Sequence, residues 1–199
     1  MYCPICGNDN LEDAKLCQSC GQQISPPKTS KSKGQLKRIA LVAAIIMIIA
    51  AAVFIPAFIK IRKMACRMVC GTNLAGLGKA MLVYTNDDIN EAYPPADKWC
   101  DLLVEKCEVS KDIFCCTDSK LKVGTSRYVF NINAAGKKAS ELPPDMVLIF
   151  ETDKDGWNMA GGKELLSTKN HQGDGCNILF ANDHTKFVID TNSLRWTAK

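Results

Sequence analysis

The stretch that decides the fold is residues 39–59, IALVAAIIMIIAAAVFIPAFI, which contains 21 residues and no charged or strongly polar side chain. A helix needs about 20 such residues to cross the hydrocarbon core of a bilayer. A core helix of a soluble protein would carry a polar stripe, and this stretch carries none. A signal peptide would begin near the N-terminus, whereas 38 residues with their own motif come first. We therefore predict one transmembrane helix.

Charge is distributed unevenly around this stretch. Residues 1–86 contain 11 Lys/Arg and 3 Asp/Glu, a net charge of +8. Residues 87–199 contain 14 Lys/Arg and 18 Asp/Glu, a net charge of −4, which gives +4 for the whole chain. The basic residues thus flank the predicted span, where they meet anionic lipid headgroups. We expect no nucleic-acid-binding face on the C-terminal domain, and no small-molecule substrate.

The N-terminal residues 1–24 carry two Cys-x2-Cys pairs separated by ten residues. Each pair presents two thiolates to one ion, and two pairs complete a tetrahedral Zn²⁺ site. The alternative is a pair of disulfides in a small secreted module. The segment resembles the zinc ribbons at the N-termini of many bacterial and archaeal membrane proteins, which implies a closed, structural zinc site. The predicted ligands are Cys3, Cys6, Cys17 and Cys20, with Gly7 and Gly21 following the two pairs.

Residues 25–38, SPPKTSKSKGQLKR, read as a flexible, basic linker. Its five Lys/Arg are nearly balanced by Lys60, Arg62, Lys63 and Arg67 beyond the span, so the positive-inside rule decides little. Zinc-binding thiolates need a reducing compartment. We therefore predict a single pass through the cytoplasmic membrane, with the N-terminus in the cytoplasm and the C-terminal domain outside.

Beyond the span, apolar residues from Ile61 to Leu82 recur mostly at steps of three and four. This periodicity predicts that the helix continues as an amphipathic helix over residues 60–85. Gly71, Gly76 and Gly78 each weaken a helix by about 1 kcal/mol relative to Ala. The sequence therefore leaves open a break near Gly71.

A helix that is apolar first and amphipathic second, followed by CGTNLAGLGKAMLVYTNDDINEAYPP, resembles the type IV pilins and type II secretion pseudopilins. Residues 56–190 are most similar to prepilin-type proteins with a C-terminal His-x9-Asp-Gly signature. The resemblance implies a pilin-like α+β domain over residues 86–199, in which the long helix packs on a small antiparallel β-sheet. It also implies a non-enzymatic role with protein partners of a secretion or pilus-like assembly. The matching positions are Cys70, Asn73-Leu74, Leu77-Gly78, Tyr84, Asp88 and Tyr93-Pro94-Pro95.

The chain departs from pilins at the processing site. It has no Gly-Phe-Thr-Leu-Ile-Glu-like sequence, since Gly34 is followed by Gln35-Leu36-Lys37 and the span carries no Glu. We infer that the chain is not cut or methylated like a pilin and keeps its zinc ribbon. An alternative function is a membrane-tethered regulatory or scaffold protein whose cytoplasmic ribbon docks protein or nucleic acid.

In the C-terminal domain the pattern predicts a short helix at residues 96–107. Strands are predicted at residues 127–132, 146–150, 177–180 and 186–189. Asn182-Asp183 between the last two strands suits a hairpin turn.

Seven cysteines follow the span, so at least one stays unpaired if disulfides form. We favour a bond from Cys100 to Cys116 or Cys115 and leave the rest of the pattern open. A Cys nucleophile needs a nearby base, and nothing couples either of the two His to a Cys, so we predict no catalytic residue. The seven are Cys66, Cys70, Cys100, Cys107, Cys115, Cys116 and Cys176.

Two further patterns suggest metal ligands. Asp153, Asp155 and Asn158 place oxygens at alternate positions around a Gly, as calcium loops do, with Glu164 as the nearest distal acid. Pseudopilins often bind calcium in a C-terminal loop; the alternative is a plain acidic turn.

The segment HQGDGCNILFANDHTKFV resembles the C-terminal ending of the same prepilin-type family. Its two imidazoles, His171 and His184, would make a thin metal site with Asp183, as in a metallohydrolase. We favour hydrogen-bonded residues that fix turns at strand ends.

Overall fold

The computed structural model describes residues 1–24, 33–115, 125–171 and 173–198. These residues divide into two compact units, Met1–Ile55 and Pro56–Lys199. The fold is α+β, with a long N-terminal apolar helix, a small sheet and a cysteine cluster near the N-terminus.

Helix α1 spans Lys33–Asp87 and is continuous through Gly71, Gly76 and Gly78. It begins inside the predicted linker, so residues 33–38 are helical, while residues 25–32 lie outside the described residues. Its most apolar stretch has a mean hydropathy of 3.0 and no buried residue. By length and composition this helix could span a membrane, a test that signal sequences and the core helices of soluble proteins also pass. A core helix, however, is mostly buried, and this stretch is not.

The second unit contains a five-stranded sheet in the order β3-β1-β2-β4-β5. The predicted antiparallel sheet is mixed, because the unpredicted strand β3 pairs in parallel with β1. All other pairs are antiparallel. The strands are β1 Ser126–Asn131, β2 Val147–Gly156, β3 Ala160–Gly161, β4 Cys176–Phe180 and β5 Thr185–Val188.

The predicted hairpin joins β4 to β5. The Phe180 N–H donates to the His184 carbonyl at 3.0 Å. Asp183 in the turn has a φ of 61°, a conformation that Asp tolerates better than most residues.

Helix α2 covers Trp99–Lys106, within the predicted residues 96–107. One core lies on one side of the sheet, between the sheet and the helices. Helix α2 contributes the buried Trp99 and Leu103 to it, and one face of α1 contributes Leu74, Leu77 and Met81. The Trp99 ring lies 5.6 Å from that of Phe114. The opposite side of the sheet has its own smaller core of Val129, Val147, Phe150, Cys176 and Ile178.

The glycines of α1 have a packing role that explains why they do not end the helix. A Cβ on Gly78 would lie 2.9 Å from Leu179 Cδ1, and a Cβ on Gly71 would lie 3.2 Å from Asn177 Oδ1. Glycine at these two positions weakens the helix but allows α1 to approach β4 closely.

Candidate metal centre

The four N-terminal cysteines lie on two similar turns. In the first, the Gly7 N–H donates to the Cys3 carbonyl at 2.9 Å, and in the second, the Gly21 N–H donates to the Cys17 carbonyl at the same distance. Both glycines have positive φ, 70° and 71°. A short antiparallel bridge flanks each turn, at Tyr2–Asp9 and Leu16–Gln23.

These turns bring all four sulfurs to within 4.8 Å of one another. Sγ of Cys3 lies 3.6 Å from Sγ of Cys20, and Sγ of Cys6 lies 3.5 Å from Sγ of Cys17. A tetrahedral ion with Zn–S bonds of about 2.3 Å places its sulfurs about 3.8 Å apart. The cluster therefore fits a metal such as zinc.

Backbone amides prepare part of this site for negative charge. The Cys20 N–H, followed by the Ser19 N–H, lowers the pKa of Cys17 to about 6 against the effect of burial. The N–H groups of Cys6 and Ile5 likewise lower the pKa of Cys3. At Cys20 the Gln22 N–H also lowers the pKa, but Cys6 and burial outweigh it and raise the pKa to about 12. A bound cation would remove this conflict, because it favours the thiolate form of every ligand.

Asn10 is a residue of this site that sequence reasoning missed. It is buried, and its Nδ2 donates to the Asn8 carbonyl at 2.8 Å and to Cys17 Sγ at 3.6 Å. Its Oδ1 accepts the Gln18 N–H at 3.0 Å. The side chain thus links the two turns and supports a ligand, as outer-shell residues of metal sites do.

The predicted calcium ligands each have a protein partner. Asp153 pairs with Lys169 at 2.9 Å and Asp155 pairs with Arg127 at 2.7 Å. Among the described residues they belong to no group of three candidate Cys, His or acidic ligands. Calcium binding there stays a prediction, and it would require these contacts to break.

Asn158, the third predicted calcium ligand, caps helix α2. Its Oδ1 accepts the Cys100 N–H at 2.7 Å and the Asp101 N–H at 3.3 Å, while its Nδ2 donates to the Asp101 carboxylate. Lys98, at the N-cap position itself, makes no side-chain capping bond. A residue more than fifty positions away thus satisfies amides that the local sequence leaves unpaired.

His171 and His184 do not form a joint site. Within the described part of the chain, no group of candidate ligands contains both of them, and His184 is exposed at the hairpin. His171 is buried, and its Nε2 lies 3.0 Å from the carboxylate of Glu151, which is fully buried on β2. His171 is thus hydrogen-bonded, as expected, but its side chain bonds to a carboxylate on β2 and not to a turn.

Glu151 is the centre of a buried polar network that the sequence analysis did not find. Its Oε2 accepts the Asn177 backbone N–H at 2.7 Å, and its Oε1 accepts Asn177 Nδ2 at 3.0 Å. The same Nδ2 also lies 3.1 Å from the Arg67 carbonyl of α1. The network therefore ties β2, β4 and α1 together. Its only sequence signal is a Glu directly after the apolar run 146–150.

The Cys70 sulfur lies close to His171 and Glu151, in a geometry compatible with a metal. Cys70 is disulfide-bonded, however, and a disulfide sulfur offers no thiolate. The preferred pairing of Cys100 is wrong, because Cys100 and Cys115 are both free. Cys116 lies outside the described residues. The other free cysteines of the second unit are Cys66, Cys107 and Cys176.

No protein-family model, no curated protein and no solved structure matches this chain.

Proposed function

We propose that the chain is a non-enzymatic, single-pass membrane protein with a pseudopilin-like role, structural or in assembly, in a type II secretion or type IV pilus-like machinery. One observation carries the proposal. Helix α1 runs without interruption from an exposed apolar stretch into a segment whose Leu74, Leu77 and Met81 are buried in the core of an α+β domain. A single helix thus supplies both the proposed bilayer anchor and part of the core of the folded domain.

The chemistry of the C-terminal domain favours a non-enzymatic role. In the described ranges, the only Cys near both a His and a carboxylate is Cys70, and its sulfur is in a disulfide. A disulfide-bonded, fully buried sulfur cannot act as a nucleophile.

The proposed cofactor is one structural Zn²⁺ held by Cys3, Cys6, Cys17 and Cys20. Tetrahedral sulfur sets suit zinc or iron, and four protein ligands leave no position open for water or substrate. The role of the ion would be structural: it would hold the two turns together and would not act in catalysis.

The proposed orientation places the ribbon in the cytoplasm and the C-terminal domain outside the cytoplasmic membrane. All four ribbon cysteines are free, whereas Cys70 of the second unit is disulfide-bonded. Free ligand thiols suit a reducing compartment and a disulfide suits an oxidising one. Protease added to intact spheroplasts should remove an epitope at the C-terminus and spare one at the N-terminus; the reverse pattern would contradict the orientation.

The experiment that tests the role is cross-linking and affinity purification of the full chain from solubilised membranes. The matched control keeps the composition of residues 39–59 but scrambles their order, so the chain remains in the membrane while the helix surface changes. We expect pilin-like or secretion components with the native span and far fewer with the scrambled one. Recovery without any such component would contradict the proposal.

A second candidate is a scaffold whose ribbon docks a cytoplasmic protein. Four apolar side chains of the ribbon are largely exposed, from 58% to 74%: Tyr2, Ile5, Leu11 and Leu16. Residues 1–24 contain one Lys against three acidic residues, which disfavours nucleic acid as the partner. Under this hypothesis, Leu11→Ser with Ile5→Ser would remove a cytoplasmic partner and leave metal content unchanged.

A further inference from the structure

A basic cavity of about 150 Å³ lies in the second unit, where α1 faces the 3₁₀ turn Lys169–His171 and strand β5. Helix α1 contributes Lys60, Lys63 and Arg67 to its lining, and among the described residues Asp174 is the only acidic one that lines it. Since one water occupies about 30 Å³ of liquid, the cavity holds a group of several heavy atoms.

The three cations share one helix face because they stand at positions i, i+3 and i+7. The ion pairs among the described residues include none of the three. Among the described residues, the three cations of the cavity therefore outnumber its single acidic residue, Asp174.

Arg67 is held in place for recognition. Its guanidinium carbon lies 4.2 Å from the centre of the Phe187 ring, on β5. This cation–π contact engages the face of the Phe187 ring, and the N–H groups of a guanidinium form a planar fork that matches a phosphate. His171 also lines the cavity, but its imidazole is already hydrogen-bonded to Glu151.

The place of these residues along the chain indicates the source of the anion. Lys60 directly follows Ile59, the last residue of the apolar run. If residues 39–59 cross the bilayer, as the proposed function requires, Lys60 and Lys63 lie at the level of the headgroups, where each basic residue gains attraction to anionic lipid.

We propose that this cavity binds a phosphate group, that of an anionic phospholipid headgroup at the end of the membrane helix. The site would fix the depth and rotation of α1, because a bound headgroup is held by one face of the helix and by the sheet domain together.

The test uses the full chain in neutral detergent micelles, with short-chain phosphatidylglycerol as probe and native mass spectrometry as readout. Lys63→Ala should weaken binding about fivefold, and Lys60→Ala with Lys63→Ala about 25-fold. Arg62→Ala is the matched control, since Arg62 is an exposed cation of the same turn that does not line the cavity. It should leave binding unchanged.

Two further arms identify the source of the phosphate. Phosphatidylcholine, whose own choline neutralises its phosphate, should bind weakly if the site takes an anionic headgroup. Inorganic phosphate that binds with the same dependence on Lys63 would support the phosphate site and assign it to a soluble ligand. Equal weakening by Arg62→Ala and Lys63→Ala, or no binding of either probe, would overturn the proposal.

Membrane insertion is measured separately by flotation with phosphatidylcholine vesicles. A chain that floats without phosphate binding contradicts only the cavity proposal. A chain that does not float but still binds inorganic phosphate contradicts the membrane helix and the lipid source of the phosphate, and supports the phosphate site itself.

Discussion

The cysteines of the N-terminal ribbon and those of the C-terminal domain are the same residue type in opposite roles. In the ribbon, backbone amides lower the pKa of Cys17 to about 6. In the C-terminal domain, burial raises the pKa of Cys100, and it raises that of Cys176 to about 12. Cys3 and Cys17 are thus arranged to become thiolates, whereas Cys100 and Cys176 are arranged to remain neutral. The difference teaches that the surroundings of a cysteine, more than its presence, assign its chemistry.

The two regions also differ in what stabilises them. The buried apolar residues of the ribbon are Cys3, Cys17 and Ile24, and two of these are themselves candidate ligands. The C-terminal domain has a main core that includes Trp99, Phe114 and Phe130. Segments under about 40 residues usually need a metal or disulfides in order to fold. We therefore expect the ribbon to need a bound ion for folding, whereas the domain is stabilised by burial of apolar surface.

The largest expected effect comes from removing a ribbon ligand. Cys17→Ser should reduce bound zinc from one ion per chain to almost none and unfold residues 1–24, because structural zinc contributes about 10–16 kcal/mol in small zinc domains. Elemental analysis gives the metal content, and proteolysis within residues 1–24 reports the folding.

The control for this change is Cys66→Ser, which removes a thiol outside the cluster and should leave the metal in place. The thermal transition of the C-terminal domain should not move in either variant. If Cys17→Ser retained a full equivalent of zinc, Cys17 would not be a ligand, and the proposed difference in role between the two sets of cysteines would be contradicted.

The next largest effect comes from a substitution in the C-terminal core that leaves the ribbon cysteines intact. Trp99→Ala should lower the free energy of unfolding by about 3–5 kcal/mol, because it empties a fully buried site, and should leave zinc content unchanged. Denaturant unfolding followed by circular dichroism measures this loss.

Trp99→Phe separates packing from hydrogen bonding. It keeps most of the ring but loses the bond from Trp99 Nε1 to the Met159 carbonyl, 3.0 Å long, so about 1 kcal/mol is expected. A loss as large as that of Trp99→Ala would show that the hydrogen bond, and not burial, dominates at this position.

The smallest effect concerns pH and the cap of α2. Hydrogen bonds from Trp157 and then Asn158 hold the pKa of Asp101 below its usual range. The ionised carboxylate therefore stabilises the folded protein at pH values above the pKa of Asp101 in the unfolded chain. This stabilisation disappears as the pH falls through the lower pKa of Asp101 in the folded protein. Asp101→Asn should therefore cost about 0.5–1 kcal/mol at neutral pH and nothing in strong acid, as measured by denaturation across that range. An equal cost at all pH values would contradict the ionic origin.

Patterns among residues close in sequence predicted the cysteine cluster, four of the strands and helix α2. The Cys-x2-Cys spacing located the four sulfurs, since two ligands three residues apart need only one turn to meet. The four main strands and α2 followed from short-range periodicity. The extra strand β3 was missed because it is two residues long and contains a Gly, so it has no periodicity.

The sequence by itself determined the apolar run 39–59, the cysteine cluster and the glycines that follow each pair, because these properties depend on composition and on neighbours a few residues apart. Only the tertiary structure decided that Asn158 caps α2, that Glu151 joins His171 to Asn177, and that Cys100 is free while Cys70 is bonded. Each of these outcomes depends on two groups far apart in the chain. Their meeting is set by how the strands pair and how the helices pack on the sheet, and no local spacing encodes that arrangement.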